Sequence, residues 1–460
     1  MNNSIAWFSS ALIVLVIAGV LTRLNPRYYF PTKAVSKSWA LMFFLSGLQL
    51  LAFPKVSVSA WLYLTSFSCL VIISSFVPLL INTVLNSASS HKQLRVIRKG
   101  IYFQLIDLLI LSSFIVMIIN CTIKLLNFPG IGFARDVLYQ ISAGSQNEWI
   151  DRIHEFTIPI MWLSYIFFLF YFECFSINLK AMGWGNVFGI LLLGVLSGGR
   201  TIIIRLILLL LITSWVRKSY GKKQFPWTWN TRAKLLSFSV LSILMFYFFY
   251  VWIWRAGGVG STQISVSKFH YLANESNFLE MIGESAPRVL FTLFKYILLY
   301  LNTIADNFVS FYEYVSAGPY WGFYQLNNLA SAFKELGIPT KSTLVIFHEV
   351  QEGFWSVGLH PAQWRTMAHK FIIDFGKQGS ILGAAIFGLI IGMANMLLRL
   401  KSESWASLII IIIGWGIWSA WESPLNSPQI VLVTYSVIFI ILIRIIGQKK
   451  VIYECKEDII

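Results

Sequence analysis

Long apolar runs separated by short polar stretches recur along the whole chain. We count eleven of them: Ile5–Leu21, Trp39–Phe53, Ala60–Leu85, Ile101–Leu126, Thr157–Ser176, Asn186–Leu196, Thr201–Trp215, Leu235–Trp254, Phe375–Leu398, Trp405–Trp421 and Ile430–Ile446. A helix that crosses a bilayer needs about 20 consecutive apolar residues, and most of these runs approach that length. The pattern predicts an all-α polytopic membrane protein with about eleven transmembrane helices.

The polar stretches differ in charge from one side of the predicted membrane to the other. The loops His91–Lys99 and Arg217–Lys234 are strongly basic, whereas most of the 20 acidic residues fall in the alternate loops. Basic loops stay in the cytoplasm, so the N-terminus is predicted outside and the C-terminus inside. The same placement explains the formal charge of +16 without a nucleic-acid partner.

One polar segment is much longer than the others and divides the chain into three regions. Residues 1–254 hold eight predicted spans, residues 255–374 form a long outer region, and residues 375–460 hold the last three spans and a tail. Amphipathic stretches in the outer region predict short helices that lie on the membrane, including Arg288–Leu301. The spans Asn186–Leu196 and Thr201–Trp215 are short, which predicts local thinning of the bilayer between them.

Composition narrows the classes of protein further. Hydrophobic residues make up 57% of the chain and charged residues 12%, a balance that excludes a water-soluble domain. The four cysteines have neither metal-ligand spacing nor a disulfide pattern, and nucleotide-binding and hydrolase motifs are missing. We therefore expect neither a metal nor a cofactor. Asp107 and Glu173, near cytoplasmic helix ends, are expected to cap or pack.

Arginines at the outer ends of predicted spans are the first candidates for binding. Arg200 lies in the stretch SGGRTIII, Arg205 follows it, and Arg255 lies in WIWRAGG. Guanidinium groups offer paired donors that match phosphate oxygens, so Arg200, Arg205 and Arg255 are predicted to bind a diphosphate. Snorkelling to the headgroups, or pairing with acidic outer loops, is the alternative for each arginine.

The candidates for catalysis lie just before the span that begins at Phe375. His360, Arg365 and His369 occur together in HPAQWRTMAHK. A histidine near neutral pKa can orient or deprotonate a sugar hydroxyl, so these three are the predicted catalytic residues. The carboxylates that compete with them as a base are Glu349, Glu352 and Asp374.

Aromatic residues surround Trp321 in the stretch GPYWGFY, Gly318–Tyr324. Flat rings stack on sugar faces, but tryptophan and tyrosine are also enriched where a protein meets the membrane interface. The sequence favours the interface interpretation and leaves the sugar-binding one open.

Several of these motifs together resemble the bacterial oligosaccharide repeat-unit polymerases, including the O-antigen and enterobacterial common-antigen polymerases. The resemblance rests on SGGRTIII, on the arginine of WIWRAGG, on the long outer loop and on FGKQGSILGAAIFGLIIG, Phe375–Gly392. In that family an F-G-x-x-G element opens the span after the large loop. The resemblance covers roughly residues 189–400.

The resemblance implies a metal-independent, GT-C-like glycosyltransferase of the bacterial inner membrane. Its substrates would be undecaprenyl-diphosphate-linked oligosaccharides on the outer face, and a chain-length regulator would be a candidate partner. The growing glycan would pass from undecaprenyl diphosphate to a new lipid-linked repeat unit, as in lipopolysaccharide or capsule synthesis. The related ligases carry a histidine where this chain has Arg365, a departure that argues against a ligase.

Three other functions compete with polymerisation. A lipid-linked oligosaccharide flippase would be expected to have repeated sets of spans, and no internal repeat is found in the chain. A ligase would use the same donor with a different acceptor, and a third class of enzyme would add glucosyl or acyl groups to the glycan. The identity of the sugars cannot be read from the sequence.

Overall fold

The structure of the protein is a computed structural model, and it is mainly helical in the part that it describes. That part comprises residues 2–24, 30–49, 51–53, 55–85, 101–126, 148–196, 200–224, 242, 274–275, 303–314, 319–326, 343–356, 366–399, 403–425 and 427–447. The predicted span Leu235–Trp254 and most of the long outer region lie outside these ranges.

The structure describes thirteen α-helices within these ranges. In chain order they are α1 (Asn3–Leu24), α2 (Phe30–Gly47), α3 (Val58–Ser74), α4 (Val77–Leu85), α5 (Ile101–Leu126), α6 (Glu148–Phe170), α7 (Ile177–Leu196), α8 (Arg200–Ser219), α9 (Ile304–Tyr314), α10 (Thr343–Ser356), α11 (Met367–Arg399), α12 (Ala406–Trp418) and α13 (Ser427–Gly447). Two residues of extended chain, β1 (Leu51–Ala52), pair antiparallel with β2 (Asn274–Glu275).

Within the described ranges, five helical segments are long and apolar enough to cross a membrane. They are Asn3–Arg23, Val58–Ile81, Phe103–Leu126, Ile177–Leu196 and Met367–Leu398. Three shorter apolar helical segments accompany them: Phe156–Phe170, Glu403–Trp418 and Pro428–Ile443. The prediction of a helical, membrane-embedded protein is confirmed at this level, while the eleven-span topology stays a prediction.

The predicted extents of three helices were wrong, and packing explains one of them. Helix α2 begins at Phe30, before the predicted start at Trp39. Helices α7 and α8 each have 20 residues, so each is about 30 Å long and neither is short for a bilayer. The polar start of α7 is stabilised as a helix by close packing at its glycines. A Cβ at Gly183 would clash with the ring of Phe168, and a Cβ at Gly185 would clash with the ring of Phe114.

The described helices fall into two compact units. The first contains residues 1–89, 230–399 and 412–427, and the second contains residues 90–229, 400–411 and 428–460. In the first unit, α11 packs closely on α3, because a Cβ at Gly388 would lie 2.3 Å from the carbonyl oxygen of Val71. A Cβ at Gly392 would likewise lie 2.5 Å from the carbonyl oxygen of Ser75. Small residues spaced four apart allow such helix backbones to approach within a membrane.

In the second unit, a buried arginine closes one end of the helix bundle. The side chain of Arg217 is fully buried and donates hydrogen bonds of 2.8 Å to the carbonyl oxygens of Leu169 and Phe170. It also pairs with the carboxylate of Glu173, and nearby Lys222 pairs with Glu403 at 3.1 Å. The expected packing role of Glu173 is confirmed by this contact.

Candidate functional site

A break inside α11 defines the candidate site. Gly376 has φ 69° and ψ 176°, a backbone conformation that is open almost only to glycine. The residue lies in the F-G-K-Q-G element, so the break separates the first turns of α11 from its long apolar part. The apolar segment itself runs from Met367 to Leu398, so the opening of the span at this element stays a prediction.

A turn from the outer region packs against this break. The backbone N–H of Tyr320 donates to the carbonyl oxygen of Ile373 at 3.2 Å, and that of Trp321 donates to the carbonyl oxygen of Asp374 at 2.6 Å. A helix that ends leaves its last carbonyl groups without partners in the helix. The break at Gly376 exposes two such groups, and the turn supplies the donors that they need.

The carboxylate of Asp374 fixes the rest of the turn. It accepts backbone N–H groups from Tyr324 at 2.9 Å and from Gln325 at 3.2 Å, and a third from Gly322. The side chain of Gln325 in turn contacts the hydroxyl of Ser423. Of the carboxylates that compete as a base, Asp374 is thus committed to holding the turn in place.

The docked turn holds Trp321 in an uncommon conformation. Its φ of 55° is in the left-handed region, which costs a residue with a side chain about 1–2 kcal/mol. The side chain is nevertheless 72% exposed, and the following residue, Gly322, also has a positive φ, of 93°.

A lysine follows the break directly and lies among tyrosines. The ammonium nitrogen of Lys377 is 3.8 Å from the centre of the Tyr312 ring, a cation–π contact. The carbonyl oxygen of Lys377 accepts a hydrogen bond of 2.6 Å from the hydroxyl of Tyr63, which also contacts the hydroxyl of Ser380. The side chain of Lys377 is exposed, so these contacts present a positive charge at the start of the span.

A buried carboxyl group joins three separate segments near this end of the first unit. Asp306 accepts hydrogen bonds from Trp7 at 2.8 Å, from Gln49 at 3.0 Å and from Asn3 at 3.4 Å. Burial raises the pKa of Asp306 to about 7, although the three donors act in the opposite direction. No sequence pattern signals this cluster, because its members are up to 303 residues apart.

His369, one of the predicted catalytic residues, lies in the aromatic core. It is fully buried, and its ring centre is 5.0 Å from those of Phe308 and Phe311. Its Nδ1 is 3.1 Å from the hydroxyl oxygen of Thr366. These contacts hold the imidazole ring in one orientation within the first turns of α11, before the break at Gly376.

The other two competing carboxylates lie on α10, at positions 349 and 352. Glu349 is partly buried and accepts a hydrogen bond of 2.7 Å from the hydroxyl of Tyr320, in the docked turn. Glu352 is exposed and pairs with His348 at 3.0 Å on the same face of the helix. Of these two described carboxylates, Glu349 is the one with a hydrogen bond to the docked turn.

Only some of the predicted arginines lie in the described part of the structure. Arg200 begins α8, as expected for the element that opens this helix, and Arg205 is a partly buried residue one turn later. Both belong to the second unit. The side chain of Arg200 and the residues Arg255, His360 and Arg365 lie outside the described part, so their grouping stays a prediction.

Fold and site together define a helical, membrane-embedded protein with a broken span whose head is capped by a docked turn. Within the described ranges, no three His, Cys, Asp or Glu residues are grouped so that they could hold a metal ion. Comparison of the chain with protein-family models, with curated proteins and with solved structures finds no match.

Proposed function

We propose that the protein polymerises lipid-linked oligosaccharide repeat units on the outer face of the cytoplasmic membrane. The growing glycan is transferred from undecaprenyl diphosphate to a new repeat unit that is itself linked to undecaprenyl diphosphate. The observation that supports this best is the break at Gly376, because it lies in the F-G-K-Q-G element by which the chain resembles the repeat-unit polymerases.

The reaction forms one bond and breaks another. A hydroxyl oxygen of the incoming repeat unit attacks the anomeric carbon of the growing glycan, and the bond from that carbon to the diphosphate oxygen breaks. The diphosphate leaves with the electron pair, and the hydroxyl proton passes to a base. Cations near the diphosphate stabilise the charge that develops on it.

In this proposal Arg200, Arg205 and Arg255 bind the diphosphate, because guanidinium groups pair with its oxygens in a fixed geometry. The roles of His360 and Arg365 in orienting the acceptor follow from their position in the sequence. The ring of His369 is fully buried between Phe308 and Phe311, so this residue would act only through packing. Among the described carboxylates, Glu349 suits the base best, because it is partly shielded and held by Tyr320 beside the docked turn.

A deletion strain tests the reaction class. Without the polymerase, glycan should still reach its final carrier, but with a single repeat unit, so a polysaccharide gel should show one fast band in place of a ladder. Loss of a flippase would leave repeat units on the inner leaflet without capped product, and loss of a ligase would leave long polymer on undecaprenyl diphosphate. A deletion strain that retains its ladder would refute the proposal.

A further inference from the structure

Among the described residues, two that are not glycine have a positive φ, and they differ in what their side chains do. Gln49, with φ 46°, donates from its side-chain amide to Asp306 at 3.0 Å and to the carbonyl oxygen of Ser46 at 2.8 Å. Its unfavourable backbone is therefore offset by two hydrogen bonds. Trp321, with φ 55°, has a side chain that is 72% exposed.

Stability alone does not account for tryptophan at position 321. A glycine would adopt the left-handed conformation without strain, and an exposed indole gains little from burial. Residues held in uncommon backbone conformations by their surroundings are concentrated at functional sites. Here the surroundings are the hydrogen bonds from Tyr320 and Trp321 to the end of the first part of α11, and those from the turn to Asp374.

These contacts make Trp321 a fixed platform. The backbone N–H of Trp321 is hydrogen-bonded to the carbonyl oxygen of Asp374. A Cβ built at Gly322 would lie 3.8 Å from the Phe375 ring, at an ordinary van der Waals distance. A ring that is fixed before binding loses little conformational entropy when a ligand stacks on it. The exposed neighbours Lys377 and Gln378 add polar groups to the same end of the span.

We propose that Trp321 is a sugar-binding residue, on whose indole face a pyranose ring of the lipid-linked oligosaccharide stacks. The apolar C–H face of a sugar matches the face of the indole ring, while the indole N–H can donate to a hydroxyl group. This inference rests on the proposed function, since it assigns the saccharide part of the same substrate to the docked turn.

The chemistry of the turn favours a sugar over membrane lipid as the occupant. On α11 the exposed apolar residues that suit lipid are aliphatic, such as Leu382 and Ile386, and they lie in ordinary helix. A tryptophan at the membrane interface would serve in any backbone conformation, so contact with lipid does not account for the strained backbone at position 321.

The experiment measures binding of the repeat-unit oligosaccharide itself. The probe is the oligosaccharide released by mild acid from the lipid-linked pool of the native cells. Its dissociation constant for the purified full-length protein in detergent is obtained by saturation-transfer NMR titration. Trp321→Gly and Trp321→Leu should bind about tenfold more weakly than the wild type, the change that corresponds to the loss of one aromatic contact. Trp321→Phe keeps a ring and should stay within about threefold.

Two controls separate binding from folding. Trp321→Gly relieves the backbone strain, so its thermal unfolding midpoint in detergent should equal or exceed that of the wild type. Leu382→Ala removes an exposed side chain from the same helix and should leave the dissociation constant unchanged. Wild-type affinity in Trp321→Gly, or equal affinities in the Leu and Phe variants, would overturn the inference.

The result is independent of the test of the proposed function. A deletion strain that keeps its ladder, together with the expected binding losses, would refute the polymerase and leave the sugar-binding role of Trp321 in place. Loss of the ladder together with unchanged binding in all three variants would refute the role of Trp321 alone.

Discussion

The indole N–H of Trp7 donates a hydrogen bond of 2.8 Å to the carboxyl group of Asp306, across 299 residues of sequence. This bond ties the first span to helix α9 of the outer region. Because Asn3 and Gln49 donate to the same carboxyl group, one acidic side chain connects α1, the end of α2 and α9. The first unit is thus held at this end by a group that titrates near neutrality.

The titration of Asp306 predicts a dependence of stability on pH. Its pKa is about 7 in the folded protein and about 3.9 in an unfolded chain, so between these values the folded state holds a proton that the unfolded state has released. The free energy of unfolding should therefore fall as pH rises from about 4 to about 7, by at most about 1.4 kcal/mol per pH unit, and level off above.

Thermal unfolding of the purified protein in detergent at pH 5 and pH 7 measures this effect. Asp306→Asn keeps an oxygen that can accept from Trp7 but does not titrate, so its unfolding midpoint should change less between the two pH values. Equal pH dependence in the wild type and the variant would show that another group is responsible.

Glu349 and Glu352 allow a matched test of the proposed base. Both lie on α10, but only Glu349 contacts the docked turn through Tyr320. Glu349→Gln removes the basic group while keeping the shape, and general base catalysis typically contributes about 10²–10⁴-fold to a rate. Polysaccharide gels should therefore show short chains for Glu349→Gln and a normal ladder for Glu352→Gln. Normal ladders in both strains, at normal protein levels, would remove Glu349 from the mechanism.

Gly376→Ala tests the importance of the helix break. No heavy atom lies within 4 Å of a Cβ built at this residue, so the substitution changes backbone preference without a clash. The conformation should cost alanine about 1–3 kcal/mol and lower the unfolding midpoint. Gly19→Ala is the control, since position 19 is equally open but lies inside α1, where alanine is favoured. Equal midpoints for the two variants would contradict the strain argument.

Arg217→Met should destabilise the second unit strongly. The substitution leaves the carbonyl groups of Leu169 and Phe170 without their shared donor and removes the partner of Glu173. Breaking a buried charge interaction typically costs about 3–5 kcal/mol, so folded protein recovered from membranes should fall sharply. Lys218→Met removes the same charge from the exposed neighbouring position and should leave recovery normal. Similar yields would mean that the buried contacts contribute little.

The predicted topology has a direct chemical test. In a cysteine-free protein, Glu313→Cys on α9 should react with a membrane-impermeant maleimide in intact cells, because it is exposed and belongs to the predicted outer region. Lys218→Cys, exposed at the predicted cytoplasmic end of α8, should react only after the cells are broken. Reaction of Lys218→Cys in intact cells would reverse the orientation.

The sequence determined the class of the protein and many of its helices. Span length, apolar composition and loop charge are local properties, so they can be read along the chain without knowledge of its packing. The break inside F-G-K-Q-G is also tied to a local property, because a backbone conformation near φ 69° favours glycine whatever surrounds it. The start of α2 at Phe30 and the full length of α7 escaped prediction, and contacts between helices explain α7.

Only the tertiary structure decided which polar residues meet. The sequence favoured His369 and left Asp374 and Glu349 as unranked competitors. In the structure Asp374 anchors a turn, His369 lies in an aromatic core and Glu349 accepts a hydrogen bond from Tyr320. In the sequence, Trp321 could not be distinguished from an aromatic residue at the membrane interface. The docked turn shows that its backbone is strained and its ring exposed. The reason is geometric: a hydrogen bond requires its donor and acceptor to be within about 3 Å, and residues far apart in sequence reach that distance only through folding.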